Sequence, residues 1–159
     1  MKEVIEELPN KGPPYYPTQL SPVLFIGSQR NADDLATLQR IGITHVVNCA
    51  GTRRYDVSRS PYHPETGIRD YLMIPAEDND EFNIQSYFKE AITFINRAKY
   101  SAGKVLVHCN LGVNRSGAIC AAYLLVDLKM TLLEVITFLK SKRSVVLYNR
   151  GFRRQLYRY

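Results

Sequence analysis

The chain has 159 residues, 45% of them hydrophobic, and 21 Lys and Arg against 15 Asp and Glu, a formal net charge of +6. That length fits one domain that buries a sizeable core, and three cysteines without dense spacing exclude a disulfide-stapled scaffold, so a reduced, intracellular protein is expected. No apolar run approaches a membrane span and the acidic start Met1–Leu8 lacks a signal-peptide core, which points to a cytoplasmic or nuclear location; the basic balance favours acidic partners without choosing among them.

Residues 1–19 read as an N-terminal arm, a short helix followed by chain held extended by Pro9, Gly12, Pro13, Pro14 and Pro17, and 20–159 as the folded domain. Val23 to Ile26 reads as a strand closed by Gly27-Ser28. An amphipathic helix is expected from Asn31 or Ala32 to Ile41, with Leu35, Leu38 and Ile41 on one face and Gly42 at its end. Thr44 to Cys49 is then a strand, so the pair should be parallel with a helical crossover. Residues 51–67 are polar and aperiodic, a loop expected to rim a site. Arg69 to Ile74 returns to strand, 75–80 forms a loop, and Ile84, Phe88, Ala91, Ile92 and Ile95 mark one face of a helix from 84 to 98. Gly103 to Val107 reads as a buried strand and Ala118 to Leu128 as a buried helix. Thr131 and Glu134 fit a capping box that opens a helix to about Lys142, and a last helix begins near Asn149. The fold class is α/β: a single compact domain with a central, mostly parallel sheet flanked by helices.

The chemistry concentrates between the buried strand and the buried helix, in Val107-His108-Cys109-Asn110-Leu111-Gly112-Val113-Asn114-Arg115-Ser116-Gly117. A turn from strand into helix gathers backbone N–H groups and the positive end of the helix dipole, which makes an anion site. There the dipole and the Arg115 guanidinium both favour a thiolate at Cys109. Arg115 can grip two phosphate oxygens at once, Ser116 can donate a hydrogen bond to the sulfur, and Gly112 permits close backbone approach to a ligand. A thiolate that cleaves a phosphoester needs an acid for the departing oxygen, and the nearby candidates are Glu77, Asp78 and Asp80.

This stretch resembles the signature of the cysteine-dependent protein phosphatases, His-Cys-x-x-Gly-x-x-Arg-Ser/Thr, with every fixed position filled. From about Leu20 to Leu156 the chain looks like the small, atypical dual-specificity phosphatases related to the vaccinia virus H1 enzyme. The further matches are Leu24 to Gly27, Gly42-Ile43-Thr44-His45-Val46-Val47-Asn48, Ile74 to Phe82, and Asn149-Arg150-Gly151-Phe152 with Gln155-Leu156. The resemblance implies hydrolysis of phosphotyrosine and phosphoserine or phosphothreonine in protein substrates, through a phosphocysteine and without a metal or other cofactor. It implies Cys109 as nucleophile and Asp78 as general acid, with Asp80 as runner-up. Phosphate would be bound by Arg115 and the loop Asn110, Leu111, Gly112, Val113 and Asn114, while His108 orients the loop.

Leu111 and Asn114 stand where the family commonly has a small residue and a serine, and Tyr148 where it often has proline. The position of Cys49 matches a cysteine that some relatives pair with the nucleophile, so a reversible Cys49–Cys109 disulfide is an expectation beside a plain core role. Cys120 reads as core. Arg53, Arg54, Arg143, Arg150, Arg153 and Arg154 are candidates for reading acidic flanks of a substrate. Two alternatives stay open, an RNA 5′-triphosphatase of the same superfamily and a non-catalytic phosphate-binding module; nucleic acid is not favoured. A phosphoinositide substrate is less favoured because no lysine lies between Cys109 and Arg115. The oligomeric state is not legible.

Overall fold

The computed structural model describes residues 15–51 and 60–159. The expected N-terminal helix and Arg53, Arg54 and Arg59 lie outside them. Five strands, β1 (Thr18–Gln19), β2 (Leu24–Gly27), β3 (His45–Asn48), β4 (Asp70–Met73) and β5 (Val105–His108), form one sheet in the order β1-β2-β5-β3-β4. All neighbours are parallel except β1, which runs antiparallel to β2. Side chains alternate between faces. Leu24, Ile26, Val47, Val105 and Val107 join the larger core on one side, while Phe25, Val46 and Leu106 join a smaller cluster on the other.

The helices among the described residues are α1 (Gln29–Asp33), α2 (Leu35–Ile41), α3 (Phe88–Tyr100), α4 (Arg115–Asp127), α5 (Leu132–Lys142) and α6 (Arg150–Arg158). α4 is buried continuously from Ser116 to Leu124 and packs against α3, α5, α6, β2 and β5, which accounts for its nearly uninterrupted apolar sequence. α5 opens as expected, Glu134 N donating to Thr131 Oγ1 at 3.2 Å and Thr131 N to Glu134 Oε1 at 2.9 Å. The helix face expected from Ile84 to Ile95 is buried throughout, although its first turn, Ile84–Tyr87, is a tighter 3-10 turn before α3.

The single helix drawn from 31 to 41 is two helices, because Asp34 leaves helical geometry and serves both. Its N–H donates to Asn31 O to close α1, and its carboxylate accepts from Thr37 N at 3.2 Å to cap α2. The break leaves Leu35 exposed while Leu38 is buried, so the expected apolar stripe holds only in part. Thr18 and Gln19 pair with Ile26 and Phe25 across a turn in which Ser21 Oγ accepts from Leu24 N at 3.1 Å.

β5 lies between β2 and β3, with His108 in register with both Gly27 and Asn48. The segments leaving three parallel strands therefore emerge side by side at their carboxyl ends, where open α/β sheets place their ligands.

Candidate active site

Residues 109–114 leave β5 and curl into the first turn of α4. Gly112 has φ +73°, and a Cβ there would sit 2.7 Å from Gly27 O, so neither its backbone angle nor its surroundings tolerate a side chain. Neighbouring elements pin the loop: Gln29 N donates to Asn110 O and Leu147 N to Val113 O, both at 3.0 Å.

Cys109 is 3% exposed, with its Sγ 3.2 Å from the Oγ of fully buried Ser116. With a thiolate at Cys109 the hydroxyl is the donor. Arg115 Nη1 donates to Ala76 O at 3.2 Å, tying the guanidinium to the segment that carries the acids. Its Nε is buried without a hydrogen-bond partner among the described residues. A buried guanidinium N–H in that state suits an oxyanion ligand. Among the described residues no three His, Cys, Asp or Glu side chains gather as a metal site, and no helix is long and apolar enough to cross a membrane.

Burial holds the His108 imidazole down at about 4, so the ring is neutral at pH 7 and a poor base there. The unfolded chain, with an ordinary histidine near 6.5, takes up the proton first. Stability is therefore fully present above 6.5 and falls as the pH drops toward 4, by about 3 kcal/mol for this group. Urea unfolding at pH 7 and pH 4.5 checks this: His108→Asn should lose less stability over that interval than the wild type.

Of the three loop acids, Asp78 is the one tied to the phosphate loop. Its Oδ2 accepts from Asn114 Nδ2 at 3.0 Å and its Oδ1 from Asn149 Nδ2 at 2.9 Å. The Glu77 carboxylate accepts from Asn79 Nδ2 at 3.3 Å, and the Asp80 carboxylate makes no hydrogen bond among the described residues. Leu111, 59% exposed, and Tyr148, 60% exposed, add apolar surface to the segments around the site.

Arg143, expected among the residues that read substrate flanks, is 5% exposed and unavailable for that role. Its Nη1 donates to Thr18 Oγ1 at 2.8 Å and to Ile26 O at 3.3 Å, and its Nη2 lies 2.9 Å from where a Gly112 Cβ would be. Burial lowers its pKa, and the neighbouring Cys109 opposes that shift. It is thus a buried cation beneath the phosphate loop. Arg150 and Arg154 are exposed, whereas Arg153 is half-buried with its Nε on Leu147 O. Cys49 is fully buried, its N donating to His108 O at 2.7 Å, and Cys49, Cys109 and Cys120 are all free thiols. Burial, and next the charge of Cys109, pushes the Cys49 thiol well up.

The sequence places Asn149 at the start of the last helix and within a matching segment, but not its contact with Asp78. Its place at a helix start accounts for the N-cap bond from Phe152 N to its Oδ1, and nothing local signals the Nδ2 contact with a residue 71 positions away.

The domain family described as dual specificity phosphatase, catalytic domain, matches residues 24–159. Dual specificity protein phosphatase 2 of Mus musculus is 41% identical over 140 residues, which are 88% of this chain and 42% of the relative. The chain thus spans less than half the length of that curated relative. Among solved structures, the crystal structure of DUSP15 is 32% identical with a TM-score of 0.80, covering 91% of this chain and 87% of that one. OH1 from the Orf virus, described as a tyrosine phosphatase with triple substrate specificity, has a TM-score of 0.69 at 26% identity and covers 97% of this chain and 94% of its own.

Proposed function

Because this chain belongs to the dual specificity phosphatase catalytic-domain family, we propose that it hydrolyses phosphotyrosine and phosphoserine or phosphothreonine in phosphoproteins, with Cys109 as nucleophile. The observation that carries this reading is the junction at the end of β5, where Asn114 joins Asp78 to the loop that holds Cys109 and Arg115.

The Cys109 thiolate attacks phosphorus, stabilised until then by the Ser116 hydroxyl. As the P–O bond breaks, Asp78 gives its proton to the departing oxygen, leaving a phosphocysteine. Arg115 and the loop N–H groups from Asn110 to Ser116 stabilise the equatorial oxygens. Water then attacks the phosphocysteine as Asp78 takes its proton; phosphate leaves and the thiolate is restored. His108 serves by holding the loop, since its neutral ring is a poor base at pH 7.

Wild type and Asp78→Asn, assayed without added metal on phosphotyrosine and phosphothreonine peptides and on triphosphorylated RNA, test this proposal. Both peptides should be hydrolysed, and Asp78→Asn should cost about 10²- to 10⁴-fold on them, the usual worth of a general acid. Strong γ-phosphate release from RNA that scarcely needs Asp78 would replace this reading with the RNA 5′-triphosphatase. No phosphate release from any substrate would leave the non-catalytic binding module.

The same reading includes a reversible Cys49–Cys109 disulfide, supported by the register that sets Asn48 beside His108 and hence the next residues side by side. Hydrogen peroxide converts the Cys109 thiolate to a sulfenic acid. The Cys49 thiol then attacks that sulfur, its proton leaving with the hydroxyl as water. Peroxide-treated protein should yield a Cys49–Cys109 peptide and regain activity with dithiothreitol, whereas Cys49→Ser should not recover. A peptide map without that linkage overturns the pairing.

A further inference from the structure

The hydrogen bonds around Asp78 form a closed set, and their directions are fixed by the backbone. The Oδ1 of Asn114 accepts from the N–H groups of both Tyr148 and Asn149, each at 2.9 Å. That fixes the carbonyl end of the amide, so its NH₂ must face the Asp78 carboxylate. Asn149 is fixed in the same way. Its Oδ1 caps α6 by accepting from Phe152 N at 3.0 Å, and its NH₂ donates to Asp78 Oδ1 and to Asn79 O, the latter at 3.0 Å. Both asparagines are buried, at 2% and 6% exposure, while the carboxylate they hold is exposed.

The acid loop is braced on its other side too. Asn79 Oδ1 accepts from Glu81 N and Phe82 N, and Gln155 Nε2 of α6 donates to Phe82 O at 2.8 Å. Gly151, in the first turn of α6, lies so close that a Cβ on it would fall 2.0 Å from Asp80 O. The acid loop is therefore held between the phosphate loop and α6.

We propose that Asn114 and Asn149 are positioning residues, a pair of buried amides that hold the Asp78 carboxyl at the phosphate loop for proton transfer. The inference rests on Asp78 being the general acid. Its observation is the two-sided grip on one carboxylate by amides whose orientations the backbone dictates. Asn114, which in sequence is only a replacement for a common serine, thereby joins three segments that are remote in the chain: the acid loop, the phosphate loop and the entry to α6. A serine hydroxyl at this position has neither the second polar atom nor the reach to do so.

The test is a series of aryl phosphates of rising leaving-group pKa, measured as kcat/KM for wild type, Asp78→Asn, Asn114→Ala and Asn149→Ser. Serine at 149 keeps a helix N-cap and loses the donor to Asp78, so this variant separates positioning from helix stability. Thermal unfolding confirms that each variant is folded. If the amides act through Asp78, both asparagine variants lose about tenfold or more on the poorest leaving groups and threefold or less on the best, in the pattern of Asp78→Asn. Asn149→Ser added to Asp78→Asn should then cost less than about twofold more, the non-additivity of residues acting as one unit. Equal losses on every leaving group, or full additivity with Asp78→Asn, overturn the inference and leave the asparagines structural. A flat response of Asp78→Asn itself would instead remove the assignment of the acid on which the inference rests.

Discussion

Cys109→Ser should abolish turnover of every phosphoester, by about 10⁴- to 10⁶-fold, the scale seen when a covalent nucleophile is removed. A serine hydroxyl at neutral pH is neither ionised nor aided by a nearby base, since the His108 ring is neutral but held at about 4. The variant should still bind substrate. Arg115, Ser116 and the loop backbone are untouched, and one oxygen in place of sulfur relieves the crowding of a 3% exposed site. Calorimetry with a phosphotyrosine peptide should therefore report binding as tight as in the wild type, with no phosphate released. Residual turnover within a hundredfold of the wild type would show that phosphate is transferred directly to water.

Arg115→Lys should cost about 10³-fold or more, within the range for a guanidinium that stabilises phosphoryl transfer. A lysine keeps the charge and loses the planar fork, so it cannot hold two oxygens or reproduce the bond from Nη1 to Ala76 O. The defect should differ in kind from that of Asp78→Asn. Stabilisation of the equatorial oxygens is needed whatever group departs, so Arg115→Lys should lower kcat/KM alike for good and poor leaving groups, and binding of inorganic phosphate should weaken with it. A loss confined to poor leaving groups would instead mean that Arg115 acts mainly through the acid loop it touches.

The turn from β5 into α4 was legible in the sequence because its pattern is local. Cys109, Gly112, Arg115 and Ser116 stand at fixed spacing, and the apolar runs on either side announce a strand and a helix. α5 was legible for the same reason, its capping box lying within four consecutive residues. What escaped is held by pairings across the chain. Asp78 meets Asn149 and Arg143 meets Thr18, and no periodicity records either contact. Arg143 was one of six arginines offered as candidates for reading substrate flanks, yet two oxygens and the underside of the loop hold it inside. The break at Asp34 was missed for a different reason. Leu35, Leu38 and Ile41 satisfy a helical period even though the first of them is exposed, and a capping aspartate inside such a pattern looks like one more polar position.

The placement of β5 between β2 and β3 also bears on how the protein folds. The strand that leads into the phosphate loop pairs with two strands that both lie far from it in sequence, and it is the last of the sheet to be synthesised. Contacts of such high contact order form slowly, because the intervening chain must be ordered before they yield any stabilisation. Anion affinity should therefore arise only with the completed sheet. Phosphate added during refolding would act on the finished state, slowing its unfolding more than it speeds its formation.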